Sequence, residues 1–118
     1  MTKLKAKIVR TSDKKIIAQN CLVTQTACER LVGLLGHKTL NEDQALLIDP
    51  CNSIHTFFMK FDIDVLFLDA ENKIIKQASY SPWRVSSIKY KAKKVLELPA
   101  GSLKKHELKI GQQIEVHQ

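Results

Sequence analysis

The stretch from Pro50 to Asp69, PCNSIHTFFMKFDIDVLFLD, constrains the fold most, because it holds four of the chain's seven aromatic residues and its longest apolar runs. A segment of this composition must be buried, so the rest of the chain is expected to fold around it. The segment also contains polar side chains, and burying a polar group costs free energy unless it has a hydrogen-bond partner. It is therefore the first place to look for a functional site.

The length of 118 residues and the hydrophobic fraction of 44% predict a single domain spanning residues 1–118. Neither a transmembrane helix nor a signal peptide is predicted, because no apolar run approaches 18 residues and the first ten residues alternate lysine with apolar side chains. As written, the sequence predicts a cytoplasmic protein.

Three cysteines, Cys21, Cys28 and Cys51, form an odd set without CxxC spacing. This pattern favours reduced thiols over a disulfide framework or a zinc ribbon, although a disulfide between two of them stays possible if they lie close together. No cofactor is predicted.

Alternating apolar residues and turn-forming residues predict about seven or eight short strands. These are residues 3–10, 15–24, 45–48, 53–61, 63–69, 73–80, 95–98 and 113–117. A capping box at Thr26 and Glu29 starts one main helix, from about Ala27 to Leu35, and Ser102 starts a short helical turn that ends near Leu108. The predicted fold class is therefore α+β and β-rich, with a barrel-like or folded-over sheet.

The net charge of +7 is unevenly distributed. Residues 42–71 carry seven acids and one base, whereas residues 84–96 carry five bases and no acid. Two lysine trios repeat with a period of two, which places each trio on one face of a strand. They are Lys3, Lys5 and Lys7, and Lys89, Lys91 and Lys93. A solvated strand face is favoured over a cationic stripe for nucleic acid or an acidic partner, because no nucleic-acid-binding motif accompanies them.

Four segments, in this order and spacing, resemble the DUF192 family, a bacterial and archaeal domain of unknown function. They are Gly33-Leu34-Leu35-Gly36, ALLIDPCNSIHTFFM at 45–59, IDVLFLD at 63–69 and VLELPAGS at 95–102, and the resemblance extends from about Cys28 to the C-terminus. It implies one compact β-rich domain and brings no established activity, cofactor or catalytic residue. Many members look exported, so the resemblance also allows an exported origin.

This chain departs from the family pattern at four positions. His37 stands where the family usually has arginine, and Asp62 stands where it often has proline. Later in the chain, Glu107 and Gln112 replace a common glycine and a common aspartate. A family function that depended on any of these positions would be altered here.

Six residues form the candidate ligand-binding site: His55, Thr56, Met59, Asp64, Trp83 and Arg84. In a strand, His55 and Met59 would share one face and Thr56 would lie on the other. The side chain of Asp64 stands next to apolar neighbours and needs a basic partner, for which Arg84 is the prediction, or backbone N–H groups. Trp83 is predicted to belong to the core, and the alternative is that it lines a pocket with Tyr80.

Three functions remain open from the sequence. The first is a non-catalytic module that binds a small or polymeric ligand near His55, Asp64 and Trp83. The second is a hydrolase in which His55 and Asp64 act as an acid/base pair. The third is a basic surface, formed by the lysine trios, that binds an acidic partner or nucleic acid. No metal site is predicted, because no HxH or HExxH motif fixes the geometry of the available ligands.

Overall fold

The computed structural model describes residues 4–24, 40–54, 56, 61–89 and 91–118. These residues form seven β-strands and one short helix. The elements are β1 (Leu4–Arg10), β2 (Ile16–Thr24), β3 (Gln44–Ile48), β4 (Ile63–Leu68), β5 (Ile74–Tyr80), β6 (Lys94–Pro99), α1 (Ser102–Lys105) and β7 (Ile114–His117). The predicted β-rich fold is confirmed, and the predicted helix from Ala27 to Leu35 lies outside the described residues.

All seven strands belong to one sheet, in the order β5-β4-β6-β3-β2-β1-β7. Every neighbouring pair is antiparallel except β2 and β3, which are parallel. The sheet curls into a half-barrel, so that its two edges meet at one corner, where Lys73 forms a bridge with Gln113. At this corner the N–H of Ile74 donates to the carbonyl of Gln112 at 2.8 Å, and Gly111 donates to the carbonyl of Ile74 at 2.8 Å.

Two apolar clusters pack on opposite faces of the sheet. The inner cluster receives residues from every strand and therefore fills the curl. Its buried members are Ala6, Ile8, Ile17, Ala18, Cys21, Ala45, Leu47, Leu66, Leu68, Ile74, Leu96, Leu98, Leu108 and Ile114. The outer cluster combines residues of β3, β4 and β6 with residues of the connecting segments. Its buried members are Leu40, Leu46, Ile48, Ile54, Ile63, Val65, Phe67, Ala92 and Val95.

The outer cluster explains why β4 is apolar on both faces. All six residues of β4 are buried, because alternate side chains enter the inner and the outer cluster. The uninterrupted apolar run predicts a central strand covered on both faces at residues 63–69, and the structure has one from Ile63 to Leu68. The irregular chain that covers β4 on the outside is where the candidate site lies.

The strand predicted over residues 53–61 is wrong wherever this segment is described. Ser53, Ile54, Thr56 and Phe61 do not belong to a strand. Ile54 and Phe61 instead pack against the outer cluster. Their apolar character therefore reflects contact with the face of the sheet. In the sequence, such a segment has the same apolar pattern as a buried strand.

The two lysine trios differ in structure. Lys5 and Lys7 are exposed on β1, as predicted, and Lys3 lies outside the described residues. Lys89, Lys91 and Lys93 do not lie on a strand face, so this part of the prediction is wrong. The N–H of Ala92 donates to the carbonyl of Lys89 at 2.9 Å, which closes a turn where the period-two pattern predicted an extended chain.

Candidate functional site

Thr56 is hydrogen-bonded to two other residues predicted for the site, Trp83 and Arg84. Its N–H donates to the carbonyl of Arg84 at 2.8 Å, and its carbonyl accepts from the N–H of Trp83 at 3.0 Å. Its hydroxyl accepts from the N–H of Arg84 at 2.7 Å and donates to the carbonyl of Ser81 at 2.7 Å. Thr56 is fully buried, so it is an anchor for this turn rather than a group that can contact a ligand.

The chain from residue 81 to residue 93, here called the 81–93 loop, is joined to residues 51–56 along most of its length. The Ile54 N–H donates to the Ser86 hydroxyl at 2.8 Å, and the Ser86 N–H donates to the Ile54 carbonyl at 3.0 Å. The N–H of Lys89 donates to the carbonyl of Asn52, and the N–H of Cys51 donates to the carbonyl of Lys93. The described residues of the loop, 81–89 and 91–93, form neither a helix nor a strand, and these bonds fix their backbone.

Trp83 and Arg84 are both exposed on this fixed loop. The side chain of Trp83 is 58% exposed, so the expectation that it belongs to the core is wrong. Its φ angle of 65° lies in the left-handed region, which is unfavourable for a bulky side chain. Such backbone strain persists only where the surroundings impose it, and it is found preferentially at functional sites.

Replacement of Thr56 by valine is expected to lower the free energy of unfolding by about 1–3 kcal/mol, because the Arg84 N–H would lose the hydroxyl of the buried Thr56 side chain as its acceptor. Urea denaturation measures this loss. The matched control is Thr56→Ser, which keeps the hydroxyl and should stay close to the parent protein. Equal stability of the valine and serine variants would contradict the anchoring role.

Asp64 is separated from the 81–93 loop by the sheet. It follows the side-chain alternation of Leu66 and Leu68, and it therefore faces the inner side of the sheet, whereas the loop covers the outer side. Its two carboxylate oxygens accept from the Ser79 hydroxyl at 2.6 Å and from the Leu103 N–H at the start of α1 at 2.9 Å. The predicted ion pair with Arg84 is not formed, and the expected alternative of a backbone N–H partner is found.

His55 and Met59 lie outside the described residues. The chain neighbours of His55, Ile54 and Thr56, are both bonded to the 81–93 loop. Asp64, the acid proposed to pair with His55, is only 2% exposed and already accepts two hydrogen bonds. Of the six predicted site residues, the structure therefore brings together Thr56, Trp83 and Arg84, and Asp64 stands apart from them.

Glu97 is a polar residue that the sequence reasoning missed. It lies in β6 on the outer face, opposite Leu46 of β3 and Val65 of β4, and its side chain is fully buried. Neither carboxyl oxygen has a hydrogen-bond partner within the described part of the chain. Burial raises the pKa of Glu97 to about 8. The signal in the sequence is a carboxylate between Leu96 and Leu98, in a segment that the sequence predicts as a short apolar strand.

An open cleft of about 340 Å³ lies where residues 50–52 meet the end of the 81–93 loop, between Pro50, Asn52 and Lys93. It is shallow, and it borders the loop rather than forming an enclosed pocket. Within the described ranges, no three histidine, cysteine, aspartate or glutamate side chains are grouped closely enough to hold a metal ion. The exposed loop is thus the feature of this region that is accessible to a ligand. No helix in the same ranges has the length and apolar character that a membrane crossing requires.

Comparison with solved structures places the fold among known ones. A crystal structure from Sinorhizobium meliloti, provisionally described as a transcription regulator, matches with a TM-score of 0.81 and 18% identity. The match covers 98% of this chain and 96% of that one. A protein of unknown function from Novosphingobium aromaticivorans matches with a TM-score of 0.76 and 16% identity, over 96% of this chain and 84% of its own. Identities this low show a shared fold alone.

The sequence relatives of this chain include UPF0127 proteins of archaea. A UPF0127 protein of Pyrococcus abyssi is 40% identical over 63 residues, which cover 53% of this chain and 54% of the relative. A UPF0127 protein of Thermococcus gammatolerans is 36% identical over 93 residues, covering 75% of this chain and 61% of the relative. The chain thus spans about half to three fifths of the length of these relatives. The model of the DUF192 family, described as an uncharacterized ACR, matches residues 8–116, which confirms the resemblance. The chain belongs to the DUF192 family.

Proposed function

We propose that this chain is a non-catalytic binding module that holds an anionic ligand on the 81–93 loop. The observation that carries this proposal is the exposed pair of Trp83 and Arg84 on a loop whose backbone is fixed by Thr56. A guanidinium group forms paired hydrogen bonds with carboxylate and phosphate groups, and an indole ring offers a flat apolar face beside it. A fixed loop presents both groups with little loss of conformational entropy on binding.

The charge around the loop supports an anionic ligand. No acidic residue occurs between Glu71 and Glu97, and Glu97 is buried. The bases of the loop are Arg84, Lys89, Lys91 and Lys93. None of them takes part in an ion pair with another described residue. Bases that share one loop attract anions over a Debye length, which is about 8 Å at physiological salt.

The alternative of a hydrolase has less support. An acid/base pair of His55 and Asp64 requires a carboxylate that can reach a substrate. Asp64 is buried, and both of its oxygens accept hydrogen bonds from the protein. Its contacts are those of a residue that joins α1 to the sheet.

The proposal is tested by titration with inorganic polyphosphate at low salt, read by tryptophan fluorescence. Trp83 is the chain's single tryptophan, so the signal reports directly on the loop. Polyphosphate should change the emission of Trp83, and the apparent affinity should fall steeply as salt is added. Arg84→Gln should weaken binding about threefold to tenfold, because it removes one charge-assisted contact. Neutral dextran should have no effect.

Lys109→Gln is the matched control, because Lys109 is exposed in the turn that precedes β7. It removes the same charge from a different part of the surface and should leave the affinity nearly unchanged. A parent protein that does not respond to polyphosphate at low salt would refute the proposal. Equal losses in the Arg84 and Lys109 variants would also refute it, because the loop would then have no special role.

A further inference from the structure

We infer that the 81–93 loop docks on an anionic lipid bilayer, with its large apolar side chains entering the headgroup region and its bases contacting lipid phosphates. This inference rests on the proposed function and names the source of the anionic groups. It concerns a surface that lies on a membrane, as distinct from a segment that crosses one.

The exposed apolar side chains are concentrated in this loop. Five large hydrophobic residues are strongly exposed in the described part of the chain, and three of them lie within six positions of one another. These three are Trp83, Val85 and Ile88, with exposures of 58%, 63% and 56%. The other two, Ile16 and Ile110, stand singly on other parts of the surface. Clustering of exposed apolar groups marks an interaction surface, whereas single exposed residues need no explanation.

Bases stand next to the apolar side chains along the loop, and one base of β5 contacts the loop. Arg84 lies between Trp83 and Val85, and Lys89 follows Ile88 directly. Lys76 of β5 reaches the same loop, since its ammonium donates to the Ser87 hydroxyl at 3.0 Å. Apolar and basic groups that alternate on one surface match the boundary of an anionic bilayer, where the apolar layer lies next to the headgroup charges.

A membrane accounts for these side chains better than a nucleic acid does. Single-stranded nucleic acid binds aromatic side chains by stacking, and Trp83 could serve this purpose. Val85 and Ile88 have no π-face, so stacking would leave them in water. At a bilayer all three side chains leave water together, and tryptophan in particular prefers the interface between water and lipid.

The backbone of the loop is compatible with insertion. The N–H groups of Trp83, Arg84, Ser86 and Lys89 donate to residues 52–56. Backbone groups with partners can approach an apolar phase at much lower cost than unpaired ones. The loop therefore places its apolar side chains next to backbone N–H groups that already have hydrogen-bond partners.

The test is a titration of the protein with vesicles of phosphatidylglycerol, with phosphatidylcholine vesicles as the neutral reference. Phosphatidylglycerol should shift the emission of Trp83 to shorter wavelength, because the indole leaves water, and phosphatidylcholine should bind far more weakly. Each base replaced by glutamine, at Lys89 or Lys91, should lower the partition coefficient about fivefold. Co-sedimentation with the vesicles provides a second readout that does not depend on fluorescence.

The decisive variants are Val85→Ser and Ile88→Ser, which remove apolar surface and keep the charge. Each should lower vesicle affinity about tenfold while polyphosphate binding stays unchanged. Ile110→Ser is the matched control, because Ile110 is 64% exposed outside the loop, and it should bind vesicles like the parent protein. Circular dichroism confirms that each variant is folded.

The outcomes separate this inference from the proposed function. Binding to polyphosphate without binding to vesicles would overturn the inference and leave the proposed function intact. Vesicle binding that is insensitive to Val85→Ser and Ile88→Ser would overturn it in the same way, because the attraction would be electrostatic alone. Tighter binding to a single-stranded RNA than to vesicles would assign the surface to nucleic acid. A protein that binds neither polyphosphate nor vesicles would overturn both.

Discussion

Replacing Glu97 with leucine is expected to stabilise the protein by about 3–5 kcal/mol above pH 8 and to remove most of the decline in stability with rising pH. The carboxyl group is fully buried between Leu46 and Val65, without a hydrogen-bond partner in the described part of the chain. A leucine of similar volume fills this position with no ionisable group.

The direction of the pH effect follows from the raised pKa. Burial raises the pKa of Glu97 from 4.5 to about 8 in the folded protein. Between these values the folded state holds a proton that the unfolded state has lost, so stability falls as the pH rises through this window. Each unit of the shift corresponds to about 1.4 kcal/mol. Above about pH 8 the carboxyl group of Glu97 is ionised in the folded state as well. The stability that this group contributed below pH 4.5 is then fully lost.

Urea denaturation across the range from about pH 5 to about pH 9 measures this effect. Other titratable groups also change the stability of the protein with pH. Burial lowers the pKa of His106, which makes stability rise with pH in the region below 6.5. Arg10 lowers the pKa of Asp13 to about 2, so Asp13 affects the stability of the protein at more acidic pH. The comparison is therefore made between the parent protein and the variant at each pH.

Glu97→Gln is the matched control for the titration. It keeps the size and polarity of the side chain but cannot ionise, so its stability should lack the decline between pH 4.5 and 8 that we assign to Glu97. The leucine variant should be the more stable of the two, because the glutamine amide would also be buried with no partner among the residues that the structure describes. A parent protein whose stability follows the same pH profile as both variants would show that Glu97 does not titrate as described.

The second large effect is expected from Asp64→Ala, which should lower the free energy of unfolding by about 2–4 kcal/mol. The substitution removes the acceptor for the Ser79 hydroxyl and for the Leu103 N–H. Since α1 would lose its bond to β4, its amide protons should also exchange faster with solvent. Chemical denaturation and hydrogen exchange measure the two consequences.

Asp69→Ala provides the matched comparison for Asp64. The Asp69 carboxylate also accepts two hydrogen bonds, from the N–H groups of Glu71 and Lys73, but it lies in a turn at the surface. Its loss should cost about 1 kcal/mol, because water can replace the carboxylate there. If Asp64→Ala kept the parent stability but abolished the binding of polyphosphate, Asp64 would be a ligand-binding residue and our structural interpretation would be wrong.

The strands were largely predictable, because their signals are local. Asp49-Pro50 ends β3, and the alternation at residues 3–10 and 15–24 predicts the hairpin of β1 and β2. The uninterrupted apolar run of β4 predicts a strand that is buried on both faces. Each of these features depends on residues that are close together in the sequence.

The contacts of the candidate site were less predictable, because they depend on distant parts of the chain. Asp64 is bonded to residues 15 and 39 positions away, and only the register of β4 against β5 and the placement of α1 bring these together. The segment 53–61 was predicted as a strand because packing across a sheet and pairing within it require the same apolar residues. Glu97 could be identified from the sequence as an unusual buried polar residue, since a carboxylate in a covered strand conflicts with its surroundings.

The pairing of β1 with β7 also affects how fast the chain can fold. The ladder between these strands pairs Lys7 with His117 and Arg10 with Ile114, so it closes loops of more than one hundred residues. Contacts of such high sequence separation form late, because the entropy of closing the loop must be overcome first. The β1–β2 and β4–β5 hairpins can form earlier, and the β1–β7 ladder is then expected to determine the rate at which the half-barrel is completed.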